Sequence, residues 1–377
     1  MKKIYIICTS LNIGGTETQS VWLANMFSSK GYEVTFVVLK KGIVLKKFLH
    51  SSVNLIEYKM YATNEKKSFI FFRKIFNFFN GILQFRKKIK QEEGVVFSLL
   101  FHSNILGFLS TIFTKNKHYI CVRNDRFSSR ASTKNSNYKS FLISLISYFS
   151  SGVIFNSEVA LQKIGPKISK KNTQKVIFNT VVRLDNQIDI ENENKISNFL
   201  GDSKTNIVSV GRLEALKNYE TAILAMNNLK NLGIEFKYVI FGEGYQKTFL
   251  QDLVVKNNLQ NNILIFGSLE NSINYLHYFK YFLMTSVHEG FPNSLIEAMS
   301  SNLIPFCTQA GDSFNIIRDN RGIKLLNNSP QGISQTIFEH IKIHPKSHED
   351  DILSNIHKFI NNDLNSDFLF NEWETLI

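Results

Sequence analysis

The sequence is poor in cysteine, with only three in 377 residues. Cys8, Cys121 and Cys307 are odd in number and far apart along the chain. A disulfide framework requires paired cysteines and a zinc cluster requires closely spaced ones, so both classes of protein are excluded. The scarcity of cysteine favours a reduced, cytoplasmic compartment.

Long hydrophobic runs are also missing. The basic start at residues 1–3 is followed by an apolar run at 4–8 that is too short for a secretory signal. The stretch most like a membrane span, residues 140–157, contains many serines and Gly152. It predicts a helix followed by a short strand instead of a transmembrane helix.

Acidic residues are scarce in the first half of the chain. The whole sequence has 44 Lys+Arg and 31 Asp+Glu, a net charge of +13. Residues 1–183 hold 29 basic and 8 acidic residues, whereas residues 184–377 hold 15 and 23, so their net charges are +21 and −8. This asymmetry indicates that the first half faces an anionic partner, for which nucleic acid and anionic lipid are the candidates.

Strands and helices are predicted to alternate through the first 160 residues. Helical spacing from residue 17 to 30 ends at Gly31. Continuous apolar runs predict strands at residues 4–9, 34–39, 95–101, 119–122 and 153–155. Strands separated by helical stretches indicate a parallel sheet with helices on both faces.

The same pattern restarts in the second half, after a polar linker near residues 180–205. Strands are predicted at residues 206–210, 236–241, 263–266, 282–285 and 304–307. We expect an α/β protein with two doubly wound Rossmann-like domains, 1–183 and 184–355, that face each other across a cleft. A helical segment, 356–377, is expected to pack back towards the first domain. Ligands of such sheets bind beyond the carboxyl ends of the strands, so the loops there are the candidate sites.

Two cations follow the predicted strand 206–210. Arg212 offers a two-pronged guanidinium and Lys217 a compact charge, and together they can bind a diphosphate. Surface cations are common, and it is the position at a strand end that favours a site. After the next strand, residues 242–244 (Gly-Glu-Gly) begin like a dinucleotide fingerprint, but Lys247 replaces its third glycine. We interpret Gly242 as part of a nucleotide-side turn and do not expect a dehydrogenase.

Glu289 and Glu297 are the two residues that indicate a binding site most specifically. They are eight residues apart, with Glu289 on a predicted loop and Glu297 in the first turns of the following helix. Their carboxylates can therefore reach different hydroxyls of one sugar nucleotide, while the helix N–H groups near Asn293 and Ser294 face phosphate. The alternative is a solvated acid beside an acid that interacts with the helix dipole.

Two features of the first half lie at strand ends. Gly14 and Gly15 follow the first strand and permit close approach of an anion, although a simple tight turn is an equal alternative. His102 follows the strand 95–101 and can orient a hydroxyl or transfer a proton. A buried, hydrogen-bonded histidine is the alternative for His102.

The stretch 66–90 is rich in phenylalanine and basic residues. It holds eight cations and seven phenylalanines, with no acid before Glu92. Such a composition in a helix favours an interfacial position on an anionic membrane, and a core helix with solvated cations is the alternative. The predicted membrane contacts are Arg73, Lys74, Arg86, Lys87, Lys88 and Lys90.

The order and spacing of these motifs resemble the large retaining glycosyltransferase family 4, which has the GT-B fold and builds bacterial polysaccharides. Residues 289–299, Glu-Gly-Phe-Pro-Asn-Ser-Leu-Ile-Glu-Ala-Met, resemble the E-x7-E motif of that family. Residues 210–213 with Lys217 resemble its phosphate-binding segment, and 240–244 resemble the turn after the second strand of its C-terminal domain. The resemblance extends from Gly14 to about Arg318.

The resemblance implies roles for individual residues. Arg212 and Lys217 would hold the donor diphosphate, Glu297 the ribose hydroxyls and Glu289 the transferred sugar. His102 would face the reaction centre, so that His102 and Glu289 are the candidate catalytic residues. The other donor-binding residues implied are Gly15, Gly242, Phe291, Pro292, Asn293 and Ser294. The resemblance also implies front-face attack with retention, with no metal and no cofactor.

The expected partners are a nucleotide-sugar donor, with UDP as the expected nucleotide, and a polyprenyl-diphosphate-linked glycan acceptor of capsule, O-antigen or exopolysaccharide type. The basic first half favours a peripheral position on the inner face of the cell membrane. Two alternatives stay open, a sugar-nucleotide epimerase of similar shape and a basic nucleic-acid-binding protein. The sequence has no helix-turn-helix, zinc or RNA-recognition motif, so we expect no nucleic-acid partner.

Overall fold

A computed structural model describes residues 2–40, 42–58, 67–123, 134–168, 172–184 and 187–377, without side chains at 67–75 and 134–140. The chain forms two compact units. The first comprises Met1–Val182 together with Asp367–Ile377, and the second comprises Arg183–Ser366. Of the segment 356–377, which was predicted to pack back towards the first domain, the part that belongs to the first unit is Asp367–Ile377.

The first unit contains a seven-stranded parallel sheet. Its strands are β1 (Lys3–Cys8), β2 (Glu33–Val38), β3 (Asn54–Glu57), β4 (Gly94–Leu99), β5 (Lys117–Val122), β6 (Gly152–Phe155) and β7 (Thr173–Val176). Its first five helices are α1 (Gly15–Ser29), α2 (Lys67–Lys90), α3 (Phe101–Thr111), α4 (Lys134–Ser147) and α5 (Glu158–Ile164). The strand order is β3-β2-β1-β4-β5-β6-β7.

The central strands are continuous apolar runs because helices cover both faces of the sheet. In register, Ile4 of β1 pairs with Val34 of β2 on one side and with Val95 of β4 on the other. β3 and β7, at the two edges, are short and mostly half-exposed. Their sequences lack an apolar run, and they were not predicted.

The second unit contains a six-stranded parallel sheet. Its strands are β8 (Asn206–Val210), β9 (Lys237–Phe241), β10 (Ile263–Gly267), β11 (Tyr281–Met284), β12 (Ile304–Thr308) and β13 (Ile323–Leu325). Its helices are α6 (Ile190–Leu200), α7 (Tyr219–Asn231), α8 (Lys247–Lys256), α9 (Asn293–Ser300), α10 (Ser313–Ile316), α11 (Pro330–Lys342) and α12 (Lys346–Asn362). The strand order is β10-β9-β8-β11-β12-β13.

This strand order creates a switch point between β8 and β11. The chain runs outward from β8 through β9 to β10, and then returns to place β11 on the other side of β8. Loops on the two sides of a switch point diverge and leave a crevice at the carboxyl edge, where doubly wound folds bind ligands. The equivalent point of the first sheet lies between β1 and β4.

The last helix, α13 (Ser366–Glu374), completes the core of the first unit. Trp373 is almost fully buried, and its ring lies 5.2 Å from that of Phe97 in β4. The hydroxyl of Tyr119 donates a hydrogen bond of 2.9 Å to the carbonyl of Leu376. The first sheet therefore depends on residues from the end of the chain.

Candidate functional site

Three loops meet at the carboxyl edge of the second sheet. The loop after β8 is bound to the end of β9, because the Gly211 N–H donates to the Phe241 carbonyl at 3.0 Å. The same loop is bound to the loop after β11, where the Val287 N–H donates to the Leu216 carbonyl at 3.0 Å. The Thr285 hydroxyl adds hydrogen bonds to the Lys217 and Asn218 carbonyls. The two sides of the switch point are thus joined.

Gly242 and Gly244 allow the loops after β8 and β9 to pack closely. A methyl group added to Gly242 would lie 1.9 Å from the Gly211 carbonyl oxygen, and one added to Gly244 would lie 2.3 Å from that of Leu213. Both distances are far below a van der Waals contact. The glycines of the Gly-Glu-Gly segment are therefore required for packing, and nucleotide binding by Gly242 stays a prediction.

Lys217 and Glu289 form an ion pair across the switch point. Lys217 Nζ lies 2.5 Å from Glu289 Oε1, and the two side chains are only 20% and 13% exposed. The Ser286 hydroxyl donates to the same Oε1 at 2.7 Å. Among the described residues no donor binds the other oxygen, Oε2. The ion pair is thus held in place by Ser286, and Oε2 of Glu289 can still accept a hydrogen bond from a ligand.

Ser286 was not predicted from the sequence. It lies two residues after the end of β11, and its carbonyl accepts a hydrogen bond of 2.6 Å from the Thr308 hydroxyl at the end of β12. The loop after β12 supports the site further, since the Asp312 N–H donates to the Gly290 carbonyl at 3.1 Å. The position of Ser286 after a predicted strand was the available signal.

Arg212 forms its ion pair with a different acid from Lys217. Its side chain is 64% exposed, and Nη1 forms an ion pair with Glu214 Oε1 at 2.7 Å. Because surface ion pairs of this kind contribute little to stability, the guanidinium can exchange Glu214 for another anion at small cost. The structure thus brings Lys217, not Arg212, into contact with Glu289.

Glu297 is the fifth residue of α9, just over one turn after the loop that carries Glu289. Its carboxylate is partly buried, and no described residue donates a hydrogen bond to it. Burial raises the pKa of Glu297 to about 7. Neither carboxylate oxygen is among the fully buried polar atoms without a partner, so both can accept hydrogen bonds from a ligand.

The N-terminus of α9 lacks a capping side chain. Pro292 occupies the N-cap position and provides no side-chain acceptor. Phe291 and Pro292 are buried, and Asn293 and Ser294 are partly exposed at the first turn. The positive end of the helix dipole therefore lies on the same segment as Glu289, where it favours an anion.

In the first unit, Gly15 and His102 flank the switch point between β1 and β4. Gly15 is the exposed first residue of α1. The predicted strand 95–101 is too long, because β4 ends at Leu99 and Leu100 turns the chain with φ +75°. His102 is consequently the second residue of α3, and it is exposed, which excludes the buried alternative.

The predicted membrane residues lie on α2, but they do not share one environment. Nη1 of Arg86 donates to the carbonyls of Ser110 and Ile112 and so caps the end of α3, and a membrane contact of this partly exposed residue stays a prediction. Lys87 and Lys90 are exposed, and Lys88 is partly exposed. The side chains of Arg73 and Lys74 lie outside the described residues.

Residues 190–350 match the family model described as "Glycosyl transferases group 1". This segment contains the loops and acids of the candidate site. The matched segment, which is less than half of the chain, is therefore similar to the glycosyltransferases of that group.

The relatives of this chain carry glycosyltransferase names. An uncharacterized glycosyltransferase of Methanocaldococcus jannaschii is 30% identical over 206 residues, which are 53% of this chain and 50% of that protein. The chain thus spans about half the length of this relative. The N-acetylgalactosamine-N,N'-diacetylbacillosaminyl-diphospho-undecaprenol 4-alpha-N-acetylgalactosaminyltransferase of Campylobacter jejuni is 28% identical over 317 residues, 82% of this chain and 81% of its own.

The fold is shared with solved glycosyltransferase structures. The crystal structure of Anabaena HepE in complex with UDP and glucose superposes with a TM-score of 0.80 at 14% sequence identity, covering 100% of this chain and 99% of that one. Within the described residues, no helix of this protein has both the length and the apolar character needed to cross a membrane.

Proposed function

We propose that this protein is a glycosyltransferase, which transfers a sugar from a nucleotide-diphosphate donor to a hydroxyl of a growing lipid-linked cell-surface glycan. The observation that carries the proposal is the Lys217–Glu289 pair at the switch point, with Glu297 on the next helix. A sugar nucleotide combines an anionic diphosphate with hydroxyl groups that donate hydrogen bonds. Lys217 complements the diphosphate, and the carboxylates of Glu289 and Glu297 can accept hydrogen bonds from the hydroxyl groups.

Lys217 is assigned to the donor diphosphate. Its ammonium group has three N–H donors, and Glu289 occupies one of them at 2.5 Å. Another can bind a phosphate oxygen while the pair persists, and the α9 N-terminus adds its dipole. Arg212 is assigned to the same diphosphate after release from Glu214. These fixed positive groups stabilise the charge that develops on the leaving diphosphate, which is the basis for proposing a metal-independent reaction.

The two acids are assigned to hydroxyl groups. The second oxygen of Glu289 accepts from the transferred sugar, because Lys217 and Ser286 already hold the first. Glu297 accepts from the ribose, which would provide the donors that no described residue supplies. We assign His102 and Gly15 of the first unit to the reacting centre and the donor diphosphate, as the sequence resemblance implies.

The finer assignments draw on the relatives. The complex of HepE with UDP and glucose supports UDP as the donor nucleotide. The Campylobacter enzyme is named for a diphospho-undecaprenol substrate, which supports a lipid-linked acceptor here. We also propose family 4 membership, front-face transfer with retention of the anomeric configuration, and a peripheral position on the inner face of the membrane.

A transfer assay tests the proposal. Purified protein is incubated with UDP-, GDP- or ADP-sugars and a synthetic short-chain polyprenyl-diphosphate glycan, and products are followed by mass spectrometry and NMR. We expect one donor to yield an extended acceptor whose new linkage has the anomeric configuration of the donor. Absence of transfer from every donor, or formation of an epimer from the donor alone, would contradict the proposal.

A further inference from the structure

Exposed apolar side chains of the first unit are concentrated on three neighbouring elements. Of eleven large apolar side chains that are exposed among its described residues, eight lie between residues 76 and 149. They are Phe76, Phe79 and Leu83 on α2, Phe113 after α3, and Phe141, Leu145, Tyr148 and Phe149 on and after α4. Such a concentration marks an interaction surface instead of the scattered exposure that any protein shows.

The three elements form a continuous layer. Arg86 of α2 binds the carbonyl of Ile112 at 2.6 Å, which places Phe113 beside the end of α2. On the other side, Phe149 packs against Phe108 of α3, with ring centroids 5.9 Å apart. We call the eight exposed side chains, together with Lys87, Lys90 and Lys115, the aromatic–basic surface.

The cations of this surface have no acidic partners. Lys87, Lys90 and Lys115 are exposed, and no described acid forms an ion pair with any of them. The only acids in the described parts of 67–149 are Glu92 and Glu93, and Glu92 is already bound by Lys3 at 2.8 Å.

The helix dipole offers only a partial explanation for these cations. It accounts for lysines in the last turn of α2. It does not account for Lys115, which lies beyond the end of α3, or for the exposed rings beside it.

Phe113 is the most exposed member of the surface. Its side chain is 90% exposed, and its backbone has φ +58°, a left-handed conformation that is unfavourable for phenylalanine. Asparagine or glycine would fit this turn with less strain and less exposed apolar area. Neither the folding of the loop nor its solubility explains a phenylalanine here.

We propose that the aromatic–basic surface docks on an anionic lipid bilayer, with Phe113 and the α4 residues inserted among the acyl chains. The lysines, which have no acidic partner, complement anionic headgroups, and the exposed aromatic rings complement the hydrocarbon below them. The proposal extends the predicted contact from α2 to the α3–β5 loop and α4. It rests on the proposed function only in that a lipid-linked acceptor is found at a bilayer.

Vesicle flotation tests the surface directly. Full-length protein is mixed with vesicles of phosphatidylcholine alone or with phosphatidylglycerol added. Phe113→Asn with Phe141→Gln removes two rings, and asparagine suits the left-handed turn, so folding is preserved. We expect binding to the anionic vesicles to fall about 30-fold from the lost apolar burial. Lys87→Gln with Lys90→Gln should lower it by roughly fivefold for each charge and only at low salt.

The matched control is Phe249→Gln, which removes an exposed phenylalanine from α8 of the second unit and should leave vesicle binding unchanged. Unchanged binding by the Phe113/Phe141 variant would overturn the proposal, as would equal loss in the Phe249 control. Light scattering that shows a dimer broken by the same variant would also overturn it.

Nucleotide-sugar binding is measured on the same proteins. If it is absent while vesicle binding follows the pattern above, the proposed transfer reaction fails and the docking surface stands.

Discussion

Donor binding is predicted to depend on the ionisation of Glu297. Burial raises the pKa of this carboxyl group to about 7, and no described residue donates a hydrogen bond to it. A ribose that donates hydrogen bonds prefers the ionised form. The ionised fraction of such a group falls from about nine-tenths at pH 8 to about one-tenth at pH 6, so the donor Kd should rise by up to roughly tenfold.

The same pKa shift affects the stability of the unliganded protein. Its pKa in the fold, about 7, exceeds the ordinary value of 4.5, so the folded state binds this proton more tightly than the unfolded chain. The free energy of unfolding should therefore decrease as the pH rises from 4.5 to about 7. A saturating nucleotide sugar, which favours the ionised carboxylate, should offset part of the decrease.

Calorimetric titration at pH 6 and pH 8 measures the effect. A nucleotide sugar is used because the terminal phosphate of a free nucleotide diphosphate itself titrates near pH 6. Glu297→Gln keeps the size of the side chain but cannot ionise. Its Kd should be independent of pH, and at pH 8 about 10- to 100-fold weaker than that of the wild type, the range for a hydrogen bond to a charged group.

Glu220→Gln is the matched control, because Glu220 is an exposed acid in the first turn of α7. It should keep both the affinity and the pH dependence of the wild type. A wild-type Kd that does not change between the two pH values would refute the role of Glu297. A Glu297→Gln variant with the wild-type pH profile would refute it equally.

Three further perturbations test other parts of the structure. Lys217→Met should weaken nucleotide-sugar binding by about 10- to 100-fold in calorimetry, because it removes a charged donor from the diphosphate; a change below twofold would contradict the assignment. Gly244→Ala should also weaken nucleotide-sugar binding, since the methyl group would lie 2.3 Å from the Leu213 carbonyl oxygen. In the control Gly201→Ala the methyl group contacts no other atom, so that variant should strain only its own turn and leave binding unchanged. Trp373→Ala should lower the free energy of unfolding by about 3–5 kcal/mol in urea titrations, and an unchanged midpoint would show that α13 is dispensable for the first unit.

The interior strands of both sheets were predictable from sequence. Strands such as β1 and β12 are buried on both faces, so each is a continuous apolar run. The short edge strands β3, β7 and β13 were missed because one side of each meets solvent and the apolar signal is lost. The end of β4 was misplaced because the turn at Leu100 has a left-handed conformation that a leucine does not signal.

The candidate site was only partly predictable. Lys217 and Glu289 were selected because each follows a predicted strand, and the parallel sheet brings those strand ends together. Ser286 was missed because serine is common in loops. The ion pair of Arg212 with Glu214 and the capping of α3 by Arg86 depend on three-dimensional neighbours that sequence spacing does not specify.

The central claim is that Lys217, Glu289 and Glu297 bind one nucleotide sugar. The most direct measurement is a crystal structure of the protein with a non-hydrolysable nucleotide sugar. The account predicts a phosphate oxygen within about 3 Å of Lys217 Nζ and ribose hydroxyls at the same distance from the Glu297 carboxylate. A nucleotide bound elsewhere, with the Glu297 carboxylate still lacking a donor, would contradict it.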